Sequence, residues 1–290
     1  MRIVKTLLFV LVASAAFQAC SSKYDNLLMS NDVDAKYTAA FDYFNKGKFR
    51  KAANLFESLS VMTSGTERDD SVQFYWGLSN YKAKDYYTAE ANFSKFVSNF
   101  PRSVFTEEAR YMRVDCLYRS TLRYELDQVP TYTALSAMEE FVRDYPSSEW
   151  AGDVRVKAKV LNDRLDKKAF ENARLYYKME DYKASRVAFK NIIKTDAENI
   201  YREDILYYIA MSSYKYAYNS VPEKQKERYM DFMDDYLNFI GELPDSPYCK
   251  ELNAMYLRAQ RAIGKDVGDS DTDNMRERDF EKERKALLKN

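Results

Sequence analysis

Phe74–Pro101 reads FYWGLSNYKAKDYYTAEANFSKFVSNFP, and its spacing predicts two amphipathic helices joined by a short polar turn. Phe74, Gly77, Leu78 and Tyr81 share one face of the first helix. Ala89, Phe93 and Phe96 follow at i, i+4, i+7 on the second. Lys84-Asp85 is too polar to sit within either apolar stripe, which puts the turn there. Small residues at Gly77 and Ala89 let the two helices approach closely. Pro101 stops the second helix, because proline lacks an N–H and drives the residue before it out of the α region.

Other segments align under this one with a period of 37 residues. One aromatic recurs at Tyr37, Phe74 and Tyr111, and again at Phe170 and Tyr207. A second stands seven residues further on in each case, at Phe44, Tyr81, Tyr118, Tyr177 and Tyr214. Seven residues are nearly two helical turns, so each pair lies along one line of its helix. Between them a mostly small residue repeats: Ala40, Gly77, Val114, Ala173, Ala210. Phe49-x-x-Ala52-x-x-x-Phe56, Tyr86-x-x-Ala89-x-x-x-Phe93 and Tyr182-x-x-Ser185-x-x-x-Phe189 are copies of one phrase in the second helices. A helical hairpin with a small residue in each helix, an aromatic after the turn and a closing proline is the tetratricopeptide pattern. The expected fold is all-α: a right-handed α-solenoid of about five tetratricopeptide-like hairpins plus a C-terminal capping helix at about Tyr248–Ile263.

A lone hairpin cannot bury its apolar face, so neighbours stack and leave an extended concave surface. In tetratricopeptide arrays the first helix of each repeat lines that side. Tyr37, Phe44, Phe74, Tyr81, Tyr111 and Tyr118 are therefore candidates for a peptide groove. The competing reading is that the same rings are inter-repeat core, since aromatic stripes at helical spacing pack. Spacing does not decide between the two.

Two hairpins depart from the period. The third carries TLRYELDQVPTY before a second helix expected over Ala134–Tyr145, and the fifth carries AYNSVPEK before a long helix expected over Glu223–Ile240. A recurrent phrase joins repeats: Asn99-Phe-Pro-Arg-Ser103, Asp144-Tyr-Pro-Ser-Ser148 and Glu242-Leu-Pro-Asp-Ser246. In each, proline ends one helix and the serine is expected to cap the next. Glu107-Glu108, Glu149/Asp153 and Glu251 follow, near the positive ends of those helices.

The chain divides accordingly. Residues 1–19 read as a signal peptide, with Arg2 and Lys5 ahead of a short apolar run over Leu7–Phe17. Cys20 follows in FQAC-SS, which resembles a bacterial lipoprotein lipobox and makes Cys20 the expected lipid attachment. An ordinary secretory peptide cut near Ala19 is the alternative. Residues 20–33 are then a lipidated linker, 34–263 the repeat domain, and 264–290 a charged tail. Within the tail Met275–Leu288 could form a short helix if a partner covers Phe280 and Leu287. Several acyl chains on one cysteine anchor more firmly than one. With Ser21 and Ser22 in place of the aspartate that retains enteric lipoproteins at the inner membrane, the outer membrane is the expected site, with the domain facing the periplasm.

Composition excludes several classes. Lys+Arg 45 equals Asp+Glu 45, so no net field recruits nucleic acid. Past the signal segment no apolar run reaches membrane-spanning length. The chain has no histidine, which removes Ser-His-Asp and Cys-His arrangements and every His-containing metal motif. No glycine-rich phosphate cradle occurs. Asp69-Asp70 and Asp234-Asp235 are adjacent, hence splayed as solvated charge rather than an acid/base pair. Cys116 and Cys249 fall in separate predicted helices and read as buried thiols rather than a bridge. No catalytic residue, cofactor or metal is expected, and the chain is read as non-enzymatic.

Order and spacing over residues 130–193 resemble the BamD-type lipoproteins of the outer-membrane β-barrel assembly machinery. The matching points are Pro130, the Tyr145-Pro-x-Ser stop, Leu161–Leu165 and the Ala173–Tyr182 hairpin; the resemblance covers roughly residues 20–260. It implies that the C-terminal repeats, with Phe170, Tyr177, Tyr207 and Tyr214, hold the periplasmic domains of a BamA-like barrel-inserting subunit. It implies that the N-terminal repeats meet the C-terminal signal of unfolded outer-membrane proteins. The tyrosine content, the lack of histidine and the charged tail depart from the family's pattern. The alternative reading is a periplasmic tetratricopeptide adaptor of the Tol-Pal or cell-division/peptidoglycan system. A coiled coil ahead of the repeats would favour it, and only about fifteen residues separate Cys20 from the first helix.

Overall fold

The computed structural model describes residues 23–264, all helices and connections, with no strand among them. Helix α1 covers residues 23–29. It is followed by α2 (Val33–Asn45), α3 (Phe49–Met62), α4 (Asp69–Lys82), α5 (Tyr86–Asn99), α6 (Thr106–Arg119) and α7 (Val129–Asp144). Then come α8 (Ala151–Lys178), α9 (Tyr182–Thr195), α10 (Arg202–Tyr218), α11 (Pro222–Glu242) and α12 (Cys249–Ala262). The chain forms two compact units, one ending at Leu161 and one beginning at Asn162. The signal segment, Cys20 and the tail from residue 265 lie outside the described residues.

In the first unit every apolar cluster draws on one hairpin and on the helix after it. Ala52, Leu55, Phe56 and Leu59 of α3 close against Ala40 of α2 and Val72 of α4. Phe74, Leu78, Phe93 and Phe96 of the second hairpin close against Ala109 and Cys116 of α6. Ala134, Met138 and Phe141 of α7 close against Val114 of α6 and Val154 and Leu161 of α8. No hairpin completes its own core, which is the physical reason for stacking. In the second unit one cluster runs from Phe170 and Ala173 through Phe189, Ile205, Phe232 and Tyr236 to Leu252 and Leu257. The architecture is an α-solenoid of tetratricopeptide-like hairpins.

The hairpin turns have a specific chemistry. Gly47, Lys84 and Glu180 hold the same left-handed conformation, at φ 70°, 66° and 62°. The residue after each donates its N–H five positions back, Lys48 to Tyr43, Asp85 to Asn80 and Asp181 to Tyr176, at 2.8–3.0 Å. This is a Schellman stop. Asp85 and Asp181 then cap the next helix at once, accepting from Thr88 N at 3.1 Å and Ala184 N at 3.0 Å. Stop and start thus share two residues. Gly77 has its reason in the close approach expected of it: a Cβ there would stand 2.9 Å from the Phe93 ring.

Four expectations are corrected. Residues 23–29 are not plain linker: Tyr24 is buried against the first hairpin and its hydroxyl donates to the Lys51 carbonyl at 3.1 Å. Helix α7 begins at Val129, five residues before the expected Ala134, because Pro130 suits a first turn. The insertion before it is shorter accordingly, and is fastened by buried Gln128, whose amide donates to the carbonyls of Arg123 and Leu126 at 2.8 and 3.0 Å. Finally, Ser103, Ser148 and Ser246 do not cap helices. Their hydroxyls accept from the backbone two residues on, at Phe105, Trp150 and Tyr248, 3.2–3.3 Å away. Phe105 and Tyr248 hold the N-cap positions with no side-chain bond.

Candidate binding surface

Those serine turns present an aromatic residue, and each ring seats on the first aromatic of the preceding repeat. Phe105 stacks on Phe74 at 4.6 Å between centroids and 13° between planes. Trp150 covers Tyr111 at 5.1 Å and 12°, Tyr201 covers Phe170 at 4.8 Å and 13°, and Tyr248 covers Tyr207 at 4.1 Å and 20°. At the first repeat a cation replaces the ring: the Arg68 guanidinium lies 4.9 Å over Tyr37. Thr66 and Asn199 shape the same turn ahead of Arg68 and Tyr201. The first ladder is therefore a set of four face-to-face ring clamps and one cation clamp between successive repeats. For three of the clamps the sequence carried the signal as Ser-x-aromatic at the end of the proline phrase, Ser103-Val-Phe105, Ser148-Glu-Trp150 and Ser246-Pro-Tyr248; Thr66 and Asn199 follow no proline.

The second ladder packs at its own hairpin turn and against the following helix, where Phe44 meets Tyr75 at 5.3 Å and Tyr177 meets Tyr208 at 5.0 Å. Phe44 meets Phe49, Tyr81 meets Tyr86 and Tyr177 meets Tyr182 edge to face at 5.4–5.5 Å. Tyr118 lies beneath the Lys157 ammonium at 5.7 Å, and Tyr214 packs on Phe232 at 5.1 Å. Phe74, Phe170 and Tyr214 are buried, which removes them as groove or interface residues. Tyr37, Phe44, Tyr81, Tyr111, Tyr118, Tyr177 and Tyr207 are half-buried and keep an accessible edge.

Several of those edges are tied down. Tyr111 donates to Asp153 at 3.1 Å and Tyr207 to Glu251 at 3.0 Å, in each case reaching the first turn of a following helix. Tyr37 lies 3.4 Å from Ser71 Oγ. Tyr81 donates to the buried Asp115 carboxylate at 2.6 Å. Asp115 also receives Lys157 at 2.6 Å and Arg119 at 2.5 Å, so one carboxylate joins α4, α6 and α8. Burial alone would raise its pKa, but the bonds from Lys157, Tyr81 and Arg119 outweigh that and hold it below the ordinary carboxylate value. Burial and the same bond push the Tyr81 hydroxyl up to about 12. In the second unit Asp235, also buried, binds Arg186 at 2.6 Å and Lys190 at 2.7 Å. With Asp153 on Lys157 and Asp231 on Arg186, each network sets two carboxylates against two cations, a structural ion-pair cluster. Cys116 and Cys249 are buried thiols, not a bridge; the Cys249 Sγ donates to the Leu243 carbonyl at 3.3 Å, and burial drives Cys116 up to about 12.

Among the described residues no acidic, cysteine or histidine group could hold a metal, and no helix is long and apolar enough to cross a membrane. Stacked hairpins clamped ring on ring, with half-buried tyrosine edges left at the surface, define a repeat protein of the tetratricopeptide class. The sequence model of the family described as "YfiO: Outer membrane lipoprotein" matches residues 29–228, and the chain belongs to that family. It is similar to the "Outer membrane protein assembly factor BamD" of Caulobacter vibrioides, at 26% identity over 192 residues, 65% of this chain and 63% of that protein. It is also similar to the protein of that name from Rickettsia prowazekii, at 24% over 216 residues, 73% of this chain and 84% of that protein. The chain thus spans just under two thirds of the Caulobacter relative it matches. Among solved structures it is similar to the TPR2AB-domain:pHSP90-complex of yeast Sti1, at 12% identity and a TM-score of 0.42, covering 89% of this chain and 97% of that one.

Proposed function

We propose that this chain is a non-enzymatic scaffold in outer-membrane protein assembly, held at the outer membrane through a lipid on Cys20 and facing the periplasm. Family membership over residues 29–228, which takes in all the hairpins of the first unit and most of the second, is the observation that carries the reading. The two relatives named as assembly factors supply the role. In this reading the N-terminal repeats hold extended segments of unfolded outer-membrane proteins along the edges of Tyr37, Phe44, Tyr81, Tyr111 and Tyr118. The C-terminal repeats, with Tyr177 and Tyr207, hold the periplasmic domains of a BamA-like barrel-inserting subunit. The work is binding and positioning: rings clamped between repeats keep a fixed spacing, so an extended chain meets a pre-organised surface and less ordering entropy is lost on association.

The test is crosslinking in native membranes followed by affinity purification of the tagged full chain and mass spectrometry. Recovery of a large β-barrel protein bearing periplasmic repeat domains is expected. Recovery of Tol-Pal or cell-wall synthesis proteins in its place would move the chain to the adaptor class.

A further inference from the structure

The chain as a whole is neutral, yet charge in the first unit is sorted by the end of the hairpin. The turns within hairpins, residues 45–51, 82–88 and 119–131, carry four, two and two cations against no, one and two acids. The turns between hairpins, residues 62–71, 99–108 and 144–153, carry one, one and no cations against three, two and three acids. Stacking sets like turns side by side. The Arg119 guanidinium at the end of α6, for example, lies 5.6 and 5.2 Å over the Tyr81 and Tyr86 rings beside the preceding turn. One edge of the unit is therefore basic, with eight cations to three acids, and the other acidic, with eight acids to two cations.

Helix stabilisation accounts for the acidic edge and not for the basic one. Asp69, Asp70, Glu107, Glu108 and Asp153 occupy first helical turns, where the dipole favours an anion. Arg50 and Lys51 occupy the first turn of α3, where the same dipole opposes a cation, and no acid accompanies them. Lys51 lies 4.6 Å over the Tyr24 ring, whereas Lys48 and Arg50 are exposed and have no carboxylate partner among the described residues. Exposed rings stand among these charges: Tyr87, in the first turn of α5, is 87% exposed and Tyr132, in the first turn of α7, 60%. Val61 and Val104 are as exposed toward the other edge, so charge and not apolarity distinguishes the two.

Chain length selects the anion. Tyr24 is fastened at the basic edge: its hydroxyl donates to the Lys51 carbonyl at 3.1 Å and its ring meets Tyr43 edge to face at 5.4 Å. Cys20 is four residues away in sequence, a span of at most about 14 Å. A lipid on Cys20 thus keeps this end of the first hairpin within about that distance of the bilayer surface. We propose that the basic edge of the first unit rests on an anionic phospholipid surface, with Lys48, Arg50 and Lys84 at the headgroup phosphates and the Tyr87 and Tyr132 rings in the interface. The proposal rests on the Cys20 anchor of the scaffold reading and deepens it by naming the edge that faces the membrane.

The experiment is co-sedimentation of the full mature chain, from residue 20, carrying Cys20→Ser so that no acyl group contributes. The probes are vesicles of equal parts phosphatidylglycerol and phosphatidylethanolamine, and vesicles of phosphatidylcholine alone. Binding to the anionic vesicles is expected, falling as salt shortens the Debye length from about 10 Å at 0.1 M to about 3 Å at 1 M. Lys48→Gln/Arg50→Gln is expected to weaken it about thirtyfold, from about 1 kcal/mol for each cation at an anionic surface. Tyr87→Ala is expected to weaken it several-fold, and Arg102→Gln/Arg143→Gln, at the other end of the hairpins, to leave it unchanged. No binding to the anionic vesicles, equal binding to phosphatidylcholine, or equal loss in the two paired variants would each overturn the membrane edge, the first of these leaving an acidic protein as its occupant. The anchor is tested separately by palmitate labelling in cells. Label that persists on Cys20→Ala would remove the anchor reading, while the vesicle result alone decides the edge.

Discussion

Asp115 concentrates more consequence than any other residue in the first unit. Its carboxylate is the common acceptor for Tyr81, Arg119 and Lys157, so Asp115→Ala leaves a nearly buried ammonium short of its main partner. A loss of about 3 kcal/mol is expected, measured as a lower urea midpoint. The pH dependence follows from the directions of the shifts. Asp115 lies below its unfolded value of about 3.9, so its contribution is complete above that pH and is lost as pH falls through the lower folded value. Tyr81 lies above its unfolded value, so its contribution is complete below about pH 10 and is lost as pH rises toward about 12. Urea midpoints should be flat across neutral pH and fall at both ends, and Tyr81→Phe should make the alkaline fall shallower. Gly77 gives a second residue-scale result. Gly77→Ala gains about 1 kcal/mol of helix propensity but drives a Cβ into Phe93, a cost of about 1–3 kcal/mol. Net destabilisation is expected, whereas Gly241→Ala, with open space around it, should stabilise by a few tenths of a kcal/mol. Thermal melts of the pair separate the two terms.

At the scale of elements the joints matter most. Lys84 occupies a left-handed position that its own repeat-mate Gly47 holds without strain. Lys84→Gly should therefore raise stability, by up to about 1 kcal/mol after the entropy glycine loses on folding. Gly47→Ala should lower it by a similar amount, each read from chemical unfolding. The ring clamps set the spacing between repeats. Trp150→Ala should cost about 2–3 kcal/mol, and a Tyr111/Trp150 double-mutant cycle should return a coupling of about 0.5–1.5 kcal/mol, beyond the loss of buried area. Zero coupling would mean that the rings merely lie near one another. The turn partners of the second ladder, Phe49, Tyr86 and Tyr182, were legible because they recur at fixed spacing in the same hairpin, although spacing left groove and core undecided for the ladder itself. The clamps were not, because Phe105, Trp150, Tyr201 and Tyr248 belong to the following repeat, across a turn whose serine has two possible uses. A serine two residues after proline can cap a helix or bend the chain, and only the position of the next helix start decides.

Across each unit the closest helix pairs are neighbours in the chain, α9 with α10 and α10 with α11, or α3 with α4 and α5 with α6. Perturbation should accordingly stay local. Phe93→Ala is expected to reduce hydrogen-exchange protection in α4, α5 and α6 and to leave α10–α12 unchanged; uniform loss of protection would show a single cooperative block. What the sequence by itself determined was the all-α repeat, its period, the helix stops at Pro101, Pro146 and Pro244, and the family resemblance, because these rest on local spacing and backbone stereochemistry. The structure alone decided which aromatic rings are buried and that Asp115 gathers partners from three helices. Those facts depend on how far apart side chains from different hairpins come to rest. Periodicity fixes which face of a helix a residue occupies, but burial and pairing are set by whatever the next repeat lays against that face.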